Sequence, residues 1–500
     1  MNYTSTRDKA LKVSSCEAIT KGISSDGGLF LPTEIPSLTA DDISRLVPLG
    51  YKQRAKDILA RFLTDYTPQE LSACVEGAYA DGKFSSEAVA PVVNIHDGVN
   101  VLELWKGPTC AFKDMALQLL PHLLTTASGK LMSDTQTVIL VATSGDTGKA
   151  ALEGFSDVAG TKILVFYPND GVSPMQKLQM TTQEGSNVGV CAVQGNFDDA
   201  QNGVKAIFTD EAIVKKLREN GCAFSSANSM NWGRLVPQIV YYISAYCDLV
   251  ASGAIANGEK INVTVPTGNF GNILAAYYAK RMGLPIKKLI CASNANNVLT
   301  DFINTGIYDR NRHFYLTSSP SMDILISSNL ERLLFELCGR DDACIREWFG
   351  KLKAEGRYEV SDSVKSQISD LFAAGFCDDA ATKAAIKDTF EKYGYLCDTH
   401  TAVAVSVYND YLAKTGDDTP VVIASTASPF KFCSSVLDAL KPGKKESSDE
   451  FGMIEELEAV SGCLAPAQLK ALKGKKVRFT DVSEKENMDR AVFSMLGITE

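Results

Sequence analysis

The stretch TVILVATSGDTG, residues 137–148, decides the fold. Its first half, 137–142, is a short run of β-branched and aliphatic residues, which predicts a buried strand. Glycines at 145 and 148 follow in a short polar loop that leads into a helical segment. A strand that ends in a glycine loop and continues as a helix is the unit of parallel α/β sheets, and ligands bind at that junction.

The same pattern recurs along the chain. Further apolar runs that predict buried strands occupy residues 162–167, 187–193, 261–266, 288–292 and 420–425. Helical segments follow most of them. This alternation predicts an α/β fold with mostly parallel sheets.

The length of 500 residues and the changes in pattern suggest several units. Residues 1–90 predict an N-terminal, mostly helical unit. We expect residues 91–130 and 235–440 to form a large α/β domain, with a helical insertion at about 330–415. Residues 131–234 predict a small α/β domain. Residues 441–500 are expected to be a C-terminal tail with two short helices, near 464–472 and 486–496.

Composition restricts the function. The chain has 50 basic and 60 acidic side chains, a net charge of −10, and such acidity argues against binding to nucleic acid or to an anionic membrane. Thirteen cysteines at irregular spacing and only four histidines form no recognisable ligand motif, so no disulfide framework and no metal site are expected. The polar N-terminus and the short apolar runs predict a cytoplasmic protein without a signal peptide.

The loop after the first strand carries Thr143, Ser144, Asp146 and Thr147. Its hydroxyl and backbone N–H groups suit a carboxylate or a phosphate, because glycines allow the backbone to approach the ligand closely. A turn that only caps the following helix, through Ser144 or Asp146, explains the same residues equally well.

A second loop follows the predicted strand 261–266 and consists of Gly268, Asn269, Phe270, Gly271 and Asn272, after a threonine. It has neither the Walker A lysine nor the dinucleotide fingerprint. The functional interpretation is a phosphate site built from backbone amides at the start of a helix. The alternative is a structural turn.

Two more segments contain cations in unusual surroundings. Lys113 follows Phe112 and precedes an apolar helix at 115–124, so partial burial would lower its pKa and make it an amine nucleophile. A solvated lysine paired with Asp114 is the alternative. Asn231 and Arg234, in the segment SANSMNWGR, predict either a small-anion site or a capping loop.

Together these segments resemble the threonine synthases, and in particular their long bacterial and fungal subfamily. These are pyridoxal-phosphate (PLP) enzymes of the tryptophan-synthase-β-like fold, fold type II. The resemblance covers residues 3 to about 435 in the family's order. It includes the motifs YTSTRD (3–8), DGGLFLP (26–32), GPTCAFKDMALQ (107–118), ATSGDTGKAA (142–151), SANSMNWGRLVPQ (226–238), VPTGNFGN (265–272) and ASTASPFKF (424–432).

The resemblance implies roles around the cofactor PLP. Lys113 matches the lysine that binds PLP covalently and then acts as the general base. The loop 268–272 matches the one that holds the cofactor phosphate. Thr426 matches the residue whose hydroxyl faces the pyridine nitrogen.

The resemblance also implies substrate contacts. The loop 143–148 matches the segment that grips the amino-acid carboxylate, and Asn231 and Arg234 fall where the substrate phosphate would bind. Two positions depart from related patterns: Asp146 stands where other fold type II enzymes have asparagine, and Ser428 stands where the family commonly has histidine.

The implied reaction converts O-phospho-L-homoserine and water to L-threonine and phosphate, by γ-elimination and β-addition, as the last step of threonine biosynthesis. The expected partner is this small-molecule substrate, with the protein a monomer or a homodimer. A phospho-lyase or an amino-acid dehydratase on the same fold remains an alternative. So does a catalytically silent homologue that only binds.

Overall fold

The β-branched and aliphatic runs form strands in the computed structural model, which describes residues 1–131, 135–143, 145–169, 172–443 and 449–498. All six runs singled out in the sequence are strands. The strands are β1 Tyr3–Ser5, β2 Asp8–Val13, β3 Phe30–Pro32, β4 Val92–His96, β5 Val99–Glu103, β6 Gln136–Ala142, β7 Thr161–Pro168, β8 Val188–Gln194, β9 Cys222–Ser225, β10 Ile261–Pro266, β11 Ile286–Ser293, β12 Ile307–Asp309, β13 Arg357–Glu359, β14 Phe372–Phe376, β15 Val421–Ser425 and β16 Val482–Glu484.

Helices lie between most of these strands, and many begin at a side chain that accepts backbone N–H groups. Thr67, for example, caps a helix whose first residue is Pro68 and whose Glu70 completes a capping box. Among the described residues, no helix is both long enough and apolar enough to cross a bilayer. The helices are α1 Ser15–Lys21, α2 Ala40–Leu46, α3 Tyr51–Phe62, α4 Pro68–Ala78, α5 Asp114–Leu117, α6 Leu120–Lys130, α7 Asp146–Phe155, α8 Pro174–Thr181, α9 Phe197–Thr209, α10 Glu211–Glu219, α11 Trp232–Ala251, α12 Gly271–Met282, α13 Val298–Thr305, α14 Leu330–Leu337, α15 Asp342–Glu355, α16 Asp362–Leu371, α17 Asp379–Tyr393, α18 Thr399–Thr415, α19 Cys433–Leu440, α20 Glu450–Ser461, α21 Ala467–Lys470 and α22 Met488–Leu496.

The larger sheet has the strand order β14-β11-β10-β15-β5-β4, and every pair in it is parallel except β4 with β5. Val263 of β10 pairs with Val422 of β15, and every residue of both strands is buried. Helices on both faces explain why these strands are continuous apolar runs. Parallel strands end at the same edge, so the loops that follow β10 and β15 meet there.

The smaller sheet has the order β16-β8-β7-β6-β9 and is parallel throughout. The loop 143–148 follows β6, so it lies at the carboxyl edge of this sheet. Both sheets therefore present a glycine-containing loop and a helix N-terminus, the arrangement in which open α/β sheets bind ligands.

Two segments differ from the sequence-based expectation. The stretch expected to be a helical insertion contains β13 and β14, and β14 extends the larger sheet by pairing in parallel with β11. Its sequence, FAAGF, lacks the β-branched residues that signal a strand, and alanine favours helices.

The C-terminal residues were expected to be a tail with two helices. They include α20 as well, and β16 pairs with β8 at the edge of the smaller sheet. Met488, Val492 and Phe493 of α22 are buried in the core of that sheet. Part of the charged stretch 441–450, residues 444–448, lies outside the described residues. We keep the expected domain boundaries as a proposal, with residues 482–496 added to the small domain.

The N-terminal unit carries, besides α1 to α4, a small antiparallel sheet in the order β2-β1-β3. It packs on α11: the ring of Tyr3 meets the ring of Trp232 edge to face at 5.6 Å, and Arg54 Nη1 lies 2.5 Å from Asp248 Oδ1. Because α11 also contributes residues to the candidate site, the N-terminal unit helps to hold the site in place through its contacts with α11.

The contact between α7 and the helix that follows Lys113 depends on a missing side chain. A Cβ at Gly154 would lie 2.0 Å from the carbonyl oxygen of Leu117, a main-chain atom that has no room to move. We expect Gly154→Ala to destabilise the protein by at least about 1–3 kcal/mol, because overpacking forces the backbone apart. Chemical denaturation measures this.

Gly350 is the matched control, because it lies on an exposed part of α15 and a Cβ there meets nothing within 4 Å. Gly350→Ala should stabilise the protein slightly, by about 0.5–1 kcal/mol, through helix propensity. Equal effects of the two substitutions would contradict the proposed close contact.

Candidate active site

Lys113 lies directly before α5, at the end of a loop whose main chain forms hydrogen bonds with the segment after β15. The N–H of Phe112 donates to the carbonyl of Thr426 at 2.8 Å, and the N–H of Ser428 donates to the carbonyl of Cys110 at 3.1 Å. Ser428 Oγ in turn accepts the N–H of Phe430 at 3.3 Å. These main-chain bonds bring Lys113 and Thr426, two residues far apart in sequence, into one site.

The Lys113 side chain is only 11% exposed, and its Nζ lies 3.7 Å from Asp146 Oδ2 and 4.8 Å from the centroid of the Phe112 ring. Burial lowers the pKa of this amine, the charge of Asp146 opposes that effect, and Lys431 and Arg234 reinforce it. The lysine is therefore not the solvated partner of Asp114 that the sequence also allowed. It has the environment of an amine nucleophile.

Asp146 begins α7 and lies between two lysines. Its Oδ1 accepts from Lys431 Nζ at 2.5 Å and from Gln176 Nε2 at 3.1 Å, while its Oδ2 faces Lys113 and Ser321 Oγ, the latter at 3.5 Å. Burial would raise the pKa of this carboxyl, but the charges of Lys431 and Lys113 outweigh burial and lower it. Asp146 is therefore ionised.

Sequence reasoning missed three of these neighbours, namely Lys431, Gln176 and Ser321. The Lys431 side chain is 0% exposed and also donates to the carbonyl of Thr109 at 3.1 Å. One signal could have revealed it: a lysine inside the small and apolar stretch ASTASPFKF, directly after a buried strand. Gln176 and Ser321 have no comparable signal, because polar residues in loops and helices are common.

The loop after β6 is shaped by Thr143. Its Oγ1 accepts the N–H groups of Gly145 and Gly148 at 3.0 and 2.9 Å, and Gly145 has a φ of +138°, which favours glycine. Thr147 is partly exposed, and Ser144 lies outside the described residues. Thr143 therefore accepts an N–H group from the first turn of α7, whereas Asp146 accepts from other side chains and does not cap the helix. The contact of this loop with a substrate carboxylate stays a prediction.

The loop after β10 has the features of an anion site. Phe270 is buried in a left-handed conformation, φ +64°, and the next two residues, Gly271 and Asn272, open α12. The N–H groups of a first helical turn have no acceptor within the helix and attract anions. The buried Nδ2 of Asn272 also has no partner.

The remainder of this loop packs against the segment before α14. Asn269 is exposed, but its carbonyl accepts from Asn329 Nδ2 at 3.0 Å. A Cβ at Gly268 would lie 2.8 Å from the carbonyl oxygen of Ser321, whose side chain contacts Asp146. The loop 268–272 therefore contacts Ser321, and Ser321 in turn contacts Asp146, the carboxylate that faces Lys113.

Asn231 and Arg234 differ in whether they have hydrogen-bond donors that remain unused. Asn231 caps α11 through Gly233, and its Nδ2 donates to the carbonyls of Ile19 and Ser226, so both amide hydrogens are used. Arg234 is buried, and its Nη1 donates to the carbonyl of Ala227 at 2.5 Å. Its substrate contact, like that of Asn231, remains a prediction, but only Arg234 has unused donors.

The charge of Arg234 is not compensated. Among the described residues no carboxylate forms an ion pair with it, its Nε is buried without a partner, and burial lowers its pKa to about 10. A buried cation without a counterion is costly unless an anion binds it. Arg234 is therefore a second candidate for binding an anion, in addition to the N-terminus of α12.

The residues present fit a phosphorylated aldehyde. Lys113 supplies an amine of lowered pKa, the start of α12 supplies N–H groups for a phosphate, and Thr426 is a neutral side chain at the end of β15. In the described part of the chain, no group of three His, Cys, Asp or Glu side chains could hold a metal ion. Fold and site together define a PLP-dependent enzyme of fold type II.

Comparison with known families covers most of the chain. Residues 2–79 match the family described as threonine synthase N terminus, residues 95–346 match pyridoxal-phosphate dependent enzyme, and residues 401–492 match threonine synthase, C-terminal.

Individual relatives agree with these families. Threonine synthase of Methylobacillus glycogenes is 37% identical over 460 residues, covering 89% of this chain and 94% of that protein. The PLP-bound threonine synthase of Brucella melitensis has a TM-score of 0.88 at 38% identity, with 99% of each chain covered. Human threonine synthase-like 1 is 43% identical over 435 residues, or 85% of this chain, which spans 58% of that protein.

The chain belongs to the threonine synthase family of PLP-dependent enzymes. Its cofactor is accordingly pyridoxal phosphate, and its fold is that of fold type II.

Asp114, the neighbour of Lys113, allows a test of the burial of this site. Both of its oxygens accept from Thr109, from the N–H and the hydroxyl at 2.8 Å each, and burial raises its pKa to about 6. Between the ordinary value near 4 and about 6 the folded state binds more protons than the unfolded state, so Asp114 lowers stability as pH rises through this range.

Asp114→Asn removes that titration. The stability of the variant minus that of the unmodified protein should rise by about 2–3 kcal/mol between pH 4 and pH 6.5, the equivalent of two pH units. Denaturation curves at several pH values measure it. A difference that is constant over this range would mean that Asp114 is not buried as described.

Proposed function

We propose that this protein is a threonine synthase that converts O-phospho-L-homoserine and water to L-threonine and phosphate. The proposal is supported chiefly by two candidate anion sites around one amine. The positive charge of Arg234 helps to lower the pKa of Lys113. The loop at the N-terminus of α12 packs against Ser321, whose hydroxyl contacts Asp146 next to Lys113. Such a site suits a phosphorylated cofactor together with a phosphorylated substrate.

In the proposed reaction PLP supplies, when bound, the electron sink for charge that develops on the substrate. Lys113 would hold the cofactor through its Nζ, and the same Nζ, when free, would accept the proton from Cα of the substrate. Burial lowers the pKa of this amine, which favours the neutral form of Nζ that the chemistry needs. The same Nζ is the group we expect to move further protons before water adds at Cβ.

Other residues of the chain orient the substrate. The guanidinium of Arg234 binds the phosphate that leaves from Cγ, because the site offers it no other counterion. Backbone N–H groups of the loop after β6 hold the amino-acid carboxylate next to α7. Thr426 is neutral, so its hydroxyl would not enforce protonation of the ring nitrogen of a bound cofactor.

A phospho-lyase or dehydratase would use the same amine and the same phosphate loop but would not add water at Cβ. The identity to threonine synthase-like 1 keeps this alternative open, since that name does not state a reaction. We favour an enzyme over a silent binding homologue, because a buried amine of lowered pKa that faces a carboxylate is typical of active sites.

The first test supplies the purified, PLP-loaded protein with O-phospho-L-homoserine. We expect threonine and phosphate in equal amounts. Lys113→Ala should lose the visible absorbance of the bound cofactor and at least about 10³-fold in kcat, because the general base is gone. Lys130→Ala, on the exposed end of α6, is the control and should behave as the unmodified protein. Formation of 2-oxobutanoate without threonine would support the alternative.

The second test addresses the substrate phosphate. Arg234→Gln should raise KM for O-phospho-L-homoserine about 10–100-fold, the value of a hydrogen bond between charged groups, while cofactor absorbance remains. Inhibition by inorganic phosphate should weaken in parallel. Arg218→Gln, on the exposed side of α10, is the control. An unchanged KM in Arg234→Gln would place the substrate phosphate elsewhere.

A further inference from the structure

Lys431 is a fully buried cation that the proposed reaction does not use. It ends a short 3₁₀ turn, Pro429–Lys431, in the segment that follows β15. Its Nζ donates to Asp146 Oδ1 at 2.5 Å and to the carbonyl of Thr109 at 3.1 Å, and its side chain is completely enclosed. Burying a lysine is expensive, so a buried lysine that contacts the active-site acid requires an explanation.

The two carboxylate oxygens of Asp146 face two different lysines. Oδ1 is taken by Lys431 together with Gln176, and Oδ2 is the oxygen that faces Lys113 at 3.7 Å, beyond hydrogen-bond distance. The closer and stronger partner of the carboxylate is thus Lys431, and Lys113 is the looser one.

Four charged groups act on Lys113. Asp146 at the start of α7 and Asp114 in α5 favour its protonated form, whereas Lys431 after β15 and Arg234 in α11 favour its neutral form. Of the two acids, Asp114 bonds to Thr109 and not to Lys113. The balance therefore depends mainly on how far the charge of Asp146 is already compensated by Lys431.

We propose that Lys431 is a positioning residue for the reaction: its ammonium compensates Asp146, so that Asp146 does not hold Lys113 as an ammonium ion. The inference rests on the proposed role of Lys113 as the lysine that binds the cofactor. An ammonium ion has no lone pair with which to bind an aldehyde or to take a proton from Cα.

The buried carboxylate of Asp146 needs a counterion. Without Lys431, the carboxylate of Asp146 would keep only Lys113 as a cationic partner among the groups named above. An uncompensated buried carboxylate is strongly unfavourable. Lys113 would then remain protonated to a higher pH and approach Asp146 more closely, which would remove it from the chemistry.

The test measures the protonation of Lys113 directly, in the full-length protein without cofactor. Competitive acetylation at a series of pH values, followed by peptide mass spectrometry, gives the titration of this one amine. In Lys431→Met we expect the midpoint to move upwards by about one pH unit or more, a tenfold change in the fraction of free amine. Lys431→Arg, which keeps the charge, should stay near the unmodified protein.

A double-variant cycle separates charge compensation from a packing role. In the background Asp146→Asn, the additional change Lys431→Met should move the midpoint much less, because the carboxylate that Lys431 compensates is gone. Where Lys431→Met does not yield folded protein, Lys431→Gln replaces it. An unchanged midpoint in the single variant, or equal shifts in both backgrounds, would overturn the proposal.

Cofactor loading distinguishes this inference from the proposed function. In Lys431→Met, the visible absorbance of bound PLP should appear only at a higher pH than in the unmodified protein. In the double variant Asp146→Asn/Lys431→Met, the pH at which this absorbance appears should move back towards that of the unmodified protein. If the unmodified protein acquires no visible absorbance with PLP, the proposed function fails. If the unmodified protein does acquire this absorbance, but the titration midpoint of Lys113 is the same with and without Lys431, only this inference fails.

Discussion

Asp146 is a carboxylate buried between two lysines, and the rest of the site depends on how its charge is compensated. It is ionised despite burial because Lys431 and Lys113 outweigh the loss of hydration. Its two oxygens connect four separate parts of the chain: α7, α8 through Gln176, the segment after β15, and the loop before α5. The interaction therefore links the small sheet to the large one at the point where the reactive amine lies.

The α/β architecture makes this convergence possible. Because the strands of each sheet are parallel, the loops after β6, β10 and β15 all lie at carboxyl edges, where helix N-termini are available for anions. A net charge of −10 is no obstacle, since local N–H groups and the uncompensated Arg234 supply the positive potential. The C-terminal segment adds β16 and α22 to the smaller sheet and so completes its core.

The sequence allowed a good part of this to be predicted, because strands with β-branched residues and glycine loops have strong local signals. The loop 268–272 could be singled out from such a pattern, whereas the role of Lys113 came from the resemblance to the threonine synthases and stays a prediction. The edge strands β14 and β16 could not be predicted in this way, because alanine-rich or charged short strands owe their conformation to pairing with a neighbour. The contact of Lys431 with Asp146 joins residues 285 positions apart, and no local pattern encodes such a distance. Asn231 shows the opposite limit, since a residue type that suits a ligand is used here to cap a helix.

We assign the cofactor to Lys113 rather than to Lys431, which is the more deeply buried of the two lysines. Reduction of the PLP-loaded protein with borohydride, followed by peptide mapping, tests it most directly, because reduction makes the bond between the cofactor and the lysine permanent. We expect the mass of the reduced cofactor on the peptide that contains Lys113. A label on Lys431, or no label on either lysine, would contradict it.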